Sequence, residues 1–146
     1  MLTEFQCREI WQNIQHSHRP LLSFVDGDRL QSLPLQVLQD SFDGTFWFLM
    51  SKRQMLTWDL QVNDPVCLMF RNNDNRLDVC LYGIANFTGD RNLLEKFWRV
   101  PFNNRFPGGP QDADCVLLEI FIEKLETWNY PECLPVPPAD RKKTSP

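Results

Sequence analysis

Histidine is nearly missing from the 146 residues: His16 and His18 are the only two, spaced too closely to share one helical face. No nucleophile stands beside them, and solvated side chains at a helix end describe them better than a catalytic pair. The five cysteines, Cys7, Cys67, Cys80, Cys115 and Cys133, are odd in number, scattered, and without a C-x-x-C pair. That disfavours both a disulfide framework and a structural metal centre. Asp112 and Asp114 form a carboxylate pair with no calcium-loop spacing, and read as a turn. The chain has no phosphate-binding P-loop, no G-x-G-x-x-G and no G-x-S-x-G. Any chemistry would therefore be a cofactor's rather than a side chain's. No apolar run approaches the ~20 residues needed to span a bilayer, and MLTEFQCREI lacks the basic-then-apolar start of a secretory leader. With a net charge of −4 and a pI near 5.1, the chain also lacks the basic excess that nucleic acid or an anionic membrane would attract. The expectation is a cytoplasmic protein whose partners are small molecules or other proteins.

What is present is a core's worth of apolar residues. Hydrophobic residues make up 42% of the chain, including eleven Phe, five Trp and two Tyr, enough for one compact domain and too few residues for two. Thr3 and Gln6 stand at capping-box spacing before Cys7, Ile10, Trp11 and Ile14, which share a face; this predicts a helix ending near His16. The period then changes. PLLSFV (20–25), SLPLQVLQ (32–39), TFWFLM (45–50), VCLMF (66–70), LDVCLYGIANF (77–87) and CVLLEIFI (115–122) are strand-like runs separated by DGD, DGT and NNDN turns. Cys67, Cys80 and Cys115 fall inside these runs and are expected in the core. Gly83 marks a bulge or a barrel corner. A second helix is expected from Ser51, with Gln54 at capping-box spacing and Met55, Trp58 and Val62 as its stripe, ending at Asp64-Pro65. A third follows Asp90, carrying Leu93, Leu94, Phe97 and Trp98 and stopping before Pro101, and Ile122 to Trp128 is read as a further short helix. The fold expected is mainly β with flanking helices: six antiparallel strands closed as a barrel over residues 1–128, with a loose Pro-rich tail over 129–146.

One position breaks the local rules. Lys52 and Arg53 lie in the first turn of a helix, where the macrodipole disfavours cations by about 0.3–1 kcal/mol each. An anion held between them and the free N–H groups of that turn would reverse the sign. Two solvated cations with their stems across the strand edge are the plainer alternative.

The run GTFWFLMSKRQ, then NDPVCLMF, LDVCLYGIANFTGD, LLEKFW and RFPGGPQDADCVLLEIFIEKLETW, resembles the general stress protein branch of the pyridoxamine 5′-phosphate oxidase-like flavin-binding split barrels. The matching residues are Trp98, Phe106, Pro107, Gly109, Pro110, Asp112, Asp114, Leu117, Leu118 and Trp128, and the likeness runs from Leu21 to Trp128. It implies a split-barrel homodimer with FMN in two clefts between the subunits. It also implies that the flavin is contacted by Ser32, Leu33, Pro34 and Leu35, by Phe48, Leu49, Met50 and Ser51, and by Trp98, with the phosphate near Lys52, Arg53, Gln54 and Leu56. The chain departs from the family at Leu33, where an arginine is usual, and at Met50, Gln54 and Leu56; of five expected polar contacts only Ser51 is present. Two classes of function follow: FMN-dependent oxidoreductase chemistry, or a divergent paralogue that keeps the dimeric barrel without flavin for a binding or regulatory role.

Overall fold

A computed structural model describes residues 2–15 and 19–136; His16, His18 and positions 137–146 of the tail lie outside the described residues. Helix α1 (Glu4–Ile14) opens on the expected capping box: Thr3 Oγ1 accepts from Gln6 N at 3.1 Å, and Gln6 Oε1 accepts from Thr3 N at 2.9 Å. The strands follow as β1 (Leu21–Asp26), β2 (Arg29–Pro34), β3 (Thr45–Ser51), β4 (Pro65–Asn72), β5 (Leu77–Thr88) and β6 (Cys115–Asn129), with a short β7 (Leu134–Pro135). All pairings are antiparallel, in the order β2-β1-β4-β5-β6-β3, with β7 on the far end of β6. This is a curled sheet whose outer strands, β2 and β3, do not pair with each other: a split barrel.

The split is bridged by the chain after β2. Pro34 has no N–H to continue a ladder. Leu35 instead donates to Pro20 O, Leu38 N donates to Trp47 O, and the buried Gln39 amide accepts from Trp47 N and donates to Thr45 O. The strand expected over 32–39 is therefore displaced to Arg29–Pro34, because Gly27, at φ 65°, closes a tight hairpin that starts β2 directly after Asp28.

The curled sheet wraps a core of Phe46, Phe48, Met50, Leu68, Phe70, Leu81 and Ile120, with Ile10 and Ile14 of α1 closing one side. Fully burying each of these side chains contributes about 1.5–3 kcal/mol. A second cluster, Leu38, Leu49, Leu94, Phe106, Cys115 and Leu117, lies on the opposite face of β3 and β6, under α3 (Arg91–Phe97). β3 and the start of β6 are thus buried on both faces, which is why they read as unbroken apolar runs.

Three further expectations need correction. The helix from Ser51 is only the five residues of α2 (Lys52–Leu56): Asp59 N is taken by Asp26 Oδ1 at 2.7 Å, Trp58 packs edge-on against Phe24 at 5.5 Å, and Val62 is exposed. Ile122 to Trp128 is not a helix but the second half of β6, paired with β5 from Leu77↔Asn129 to Gly83↔Ile122. Twelve residues of β6 paired with β5 outweigh the modest helical propensity of its Glu, Lys and Leu. The first part of the tail is also tied down. β7 pairs with Trp128 and Asn129, Val136 N donates to Thr127 O at 2.8 Å, and Arg71 stacks on the Tyr130 ring at 4.4 Å.

Candidate functional site

The site is built where β3 runs into α2 and the 106–115 loop feeds β6. Arg91, the first residue of α3, donates through Nη1 to the carbonyls of Pro110, Asp112 and Cys115, at 3.2, 2.9 and 3.4 Å. Asp112 in turn accepts from Gly108 N and Asp114 N, each at 2.9 Å. This turn aims Asp114 at the start of α2. Its Oδ2 accepts from the Ser51 hydroxyl at 2.6 Å, its Oδ1 accepts from Arg53 N at 3.0 Å, the Arg53 guanidinium stands 3.6 Å away, and its carbonyl accepts from Lys52 N at 2.7 Å. The Ser51 hydrogen bond, then that of Arg53 N–H, hold the Asp114 carboxyl below the usual carboxylate range. Gln54 N, the remaining donor of the first turn, is capped by Ser51 Oγ. The broken rule at Lys52 and Arg53 is thus answered from within the chain: the anion at the start of α2 is Asp114.

Beside this lock, a cleft of about 380 Å³ opens between the segment after β2, the outer face of β3 and the short 3₁₀ helix Val100–Asn104. Its walls are mainly apolar, with Pro34, Leu35, Leu38, Leu49, Phe102 and Phe106; Gln36 and Asn104 add polar groups, and two arginines, Arg19 and Arg105, stand at it. The aromatic wall is braced from behind. Trp98 meets Phe102 and Phe106 edge-on at 5.6 and 6.3 Å, and its Nε1 donates to Asn103 Oδ1 at 2.8 Å. Arg105 lies over the Phe106 ring at 5.1 Å and donates to Gln54 Oε1 at 3.2 Å.

The residues expected from the family pattern separate into groups. Pro34, Leu35 and Leu49 line the cleft, and Trp98 supports its wall. Phe48 and Met50, alternating with Leu49 along β3, point into the barrel core with no exposure. Ser32 bonds the Ser23 hydroxyl at 2.9 Å, and Leu33 packs against the core. Ser51, Arg53 and Gln54 are engaged as described, while Lys52 and Leu56 are exposed. Arg19, Phe102 and Arg105 were not anticipated. Arg105 was visible only as a cation placed before Phe106-Pro107, and Arg19 carried no local signal. Among the described residues no group of His, Cys, Asp and Glu could hold a metal ion, and no helix is long and apolar enough to cross a membrane.

The sequence pattern of the pyridoxamine 5′-phosphate oxidase-like family matches residues 6–134. No curated protein matches the chain. Solved structures with the same fold include a general stress family protein from Xanthomonas campestris pv. campestris, 18% identical, with a TM-score of 0.73 over 88% of this chain and 90% of that one. The general stress FMN/FAD binding protein from Xanthomonas citri is 20% identical, with a TM-score of 0.69 over 87% and 90%. A protein from Clostridium acetobutylicum related to general stress protein 26 is 15% identical, with a TM-score of 0.69 over 95% and 99%. With the family pattern spanning nearly the whole barrel, the chain belongs to the pyridoxamine 5′-phosphate oxidase-like family of split barrels.

Proposed function

We propose that the chain binds FMN in this cleft and works as a homodimer of split barrels. One observation carries the reading: Pro34, Leu35 and Leu49, which the family pattern assigns to the flavin, converge on one apolar cleft with two arginines at it. That chemistry suits a flat apolar ring bearing an anionic tail. Leu35, Leu49, Phe102 and Phe106 would hold the ring and exclude water. FMN, when bound, supplies two-electron redox chemistry, so an active protein would be an FMN-dependent oxidoreductase. The dimer is supported by apolar side chains left exposed on the outer face of β1, β4, β5 and β6: Leu21, Val25, Met69, Tyr82 and Phe121.

A second reading has its own support. The hydroxyl of Ser51, the one polar family contact retained, is donated to Asp114, whose charge would repel a phosphate there. This favours a paralogue that keeps the dimeric barrel as a binding or regulatory protein without flavin. Mixing the purified protein with FMN, removing the excess and recording the visible spectrum separates the two, since bound flavin absorbs where protein does not. A flavin band that stays with the protein supports the cofactor reading; its complete loss supports the second. Light scattering should give twice the 17.3 kDa chain mass, and a folded monomer at micromolar concentration would overturn the dimer.

A further inference from the structure

Given the cofactor reading above, on which this step rests, we infer that the anionic end of the ligand is read by Arg19 and Arg105 and not by the start of α2. Every backbone donor of the first α2 turn is committed, Lys52 N and Arg53 N to Asp114 and Gln54 N to Ser51 Oγ, as is the Ser51 hydroxyl, to Asp114 again. The Lys52 ammonium is exposed and has no acidic partner among the described residues. The Arg53 guanidinium is drawn to the same carboxylate at 3.6 Å. A phosphate placed there would displace an ionised side chain already satisfied by the protein.

The cleft offers the opposite balance. Arg19 and Arg105 both line it, no acidic residue does, and neither arginine has an ion-pair partner among the described residues. Arg105 is held on two sides, by the Phe106 ring and by Gln54 Oε1, so its fork is oriented before a ligand arrives. Its two engagements leave guanidinium N–H groups for an anion. Arg19 stands on the approach to β1, next to Pro20, whose carbonyl anchors Leu35 in the cleft wall. The two cations thus reach one cleft from separate parts of the chain, the arrangement a dianionic phosphate needs for charged hydrogen bonds from two donors.

Riboflavin provides the test, because it shares the FMN ring and lacks the phosphate. Wild type should bind FMN about 100- to 1000-fold more tightly than riboflavin, as measured by flavin fluorescence quenching. Arg19→Gln and Arg105→Gln should each weaken FMN about 10- to 100-fold and leave riboflavin unchanged. Since Arg105 also packs on Phe106, Arg105→Lys, which keeps the charge and the stem, serves as a second variant and should fall between wild type and Arg105→Gln. Unchanged FMN binding in all three variants, with loss in Lys52→Ala/Arg53→Ala, would overturn the assignment and leave the cofactor reading standing. Wild type that takes up neither flavin would instead remove the cofactor reading, and the assignment with it.

Discussion

Gly83 is the glycine with the least room for a side chain. β5 and β6 slip register between Tyr82 and Gly83, and a Cβ built on Gly83 would sit 2.2 Å from the Phe121 carbonyl oxygen, 2.9 Å from its carbon and 3.2 Å from Ile122 Cα. All three are backbone atoms of the longest strand, so no rotamer change relieves the clash. In Gly83→Ala the strands must part by roughly 1 Å, an overpacking that costs about 1–3 kcal/mol, with about 0.5–1.5 kcal/mol for each ladder bond weakened beside the bulge. A loss of about 2–4 kcal/mol is expected, which lowers Tm by roughly 4–16 °C for a domain of this size. Gly89→Ala is the control, because nothing lies within 4 Å of its Cβ; it should stay within about 0.5 kcal/mol of wild type. Urea and thermal denaturation followed by circular dichroism measure both. If the two variants unfold alike, the bulge does not have the close backbone approach described, and the steric account of the barrel's bend is wrong.

Asp114→Asn should flatten the acid limb of stability. Because the folded Asp114 carboxyl titrates below its ordinary value of 3.8, its contribution is present above that pH and lost as pH falls through the folded pKa; the wild-type and variant Tm curves should begin to approach each other below about pH 4 and meet once the pH is under the folded pKa. Arg91→Met removes the donor to three loop carbonyls and should cost about 2–3 kcal/mol, while limited proteolysis moves to the 107–114 loop. Retained loop protection would show that the motif holds itself without Arg91. Thiol alkylation under native conditions, read by mass spectrometry, should label the exposed Cys133 first and the partly exposed Cys67 next, the latter aided by a hydrogen bond from Cys80 that lowers its thiol pKa. Cys115, pushed up to about 11 by burial, should stay protected until the chain unfolds.

Much of the candidate site could be read from the sequence at the level of segments and little at the level of contacts. The family pattern named Pro34, Leu35 and Leu49, and the structure sets all three along one cleft. It equally named Phe48 and Met50, which the same strand turns inward. Alternation along β3 assigns neighbours to opposite faces, and in a strand buried on both sides the sequence carries no mark of which face is which. The conflict at Lys52 and Arg53 was legible as a need for a negative charge, but not its source.

What the sequence determined by itself is local. The Thr3–Gln6 capping box, the Asp90 cap of α3, the Gly27 hairpin, the Gly83 irregularity and the apolar cores of six strands each depend on residues within a few positions of one another. Tertiary structure decided the rest. Residues 122–129 became strand because β5 offered a partner to each of them except Glu123 at the bulge, and α2 stopped at Leu56 because Asp26, far away in the chain, captured Asp59 N. Asp114 capped Ser51 across 63 positions, and Arg105 met Gln54 across 51. Contacts of that separation leave no periodic trace in the sequence; they exist only once the curled sheet has brought the ends of its strands together.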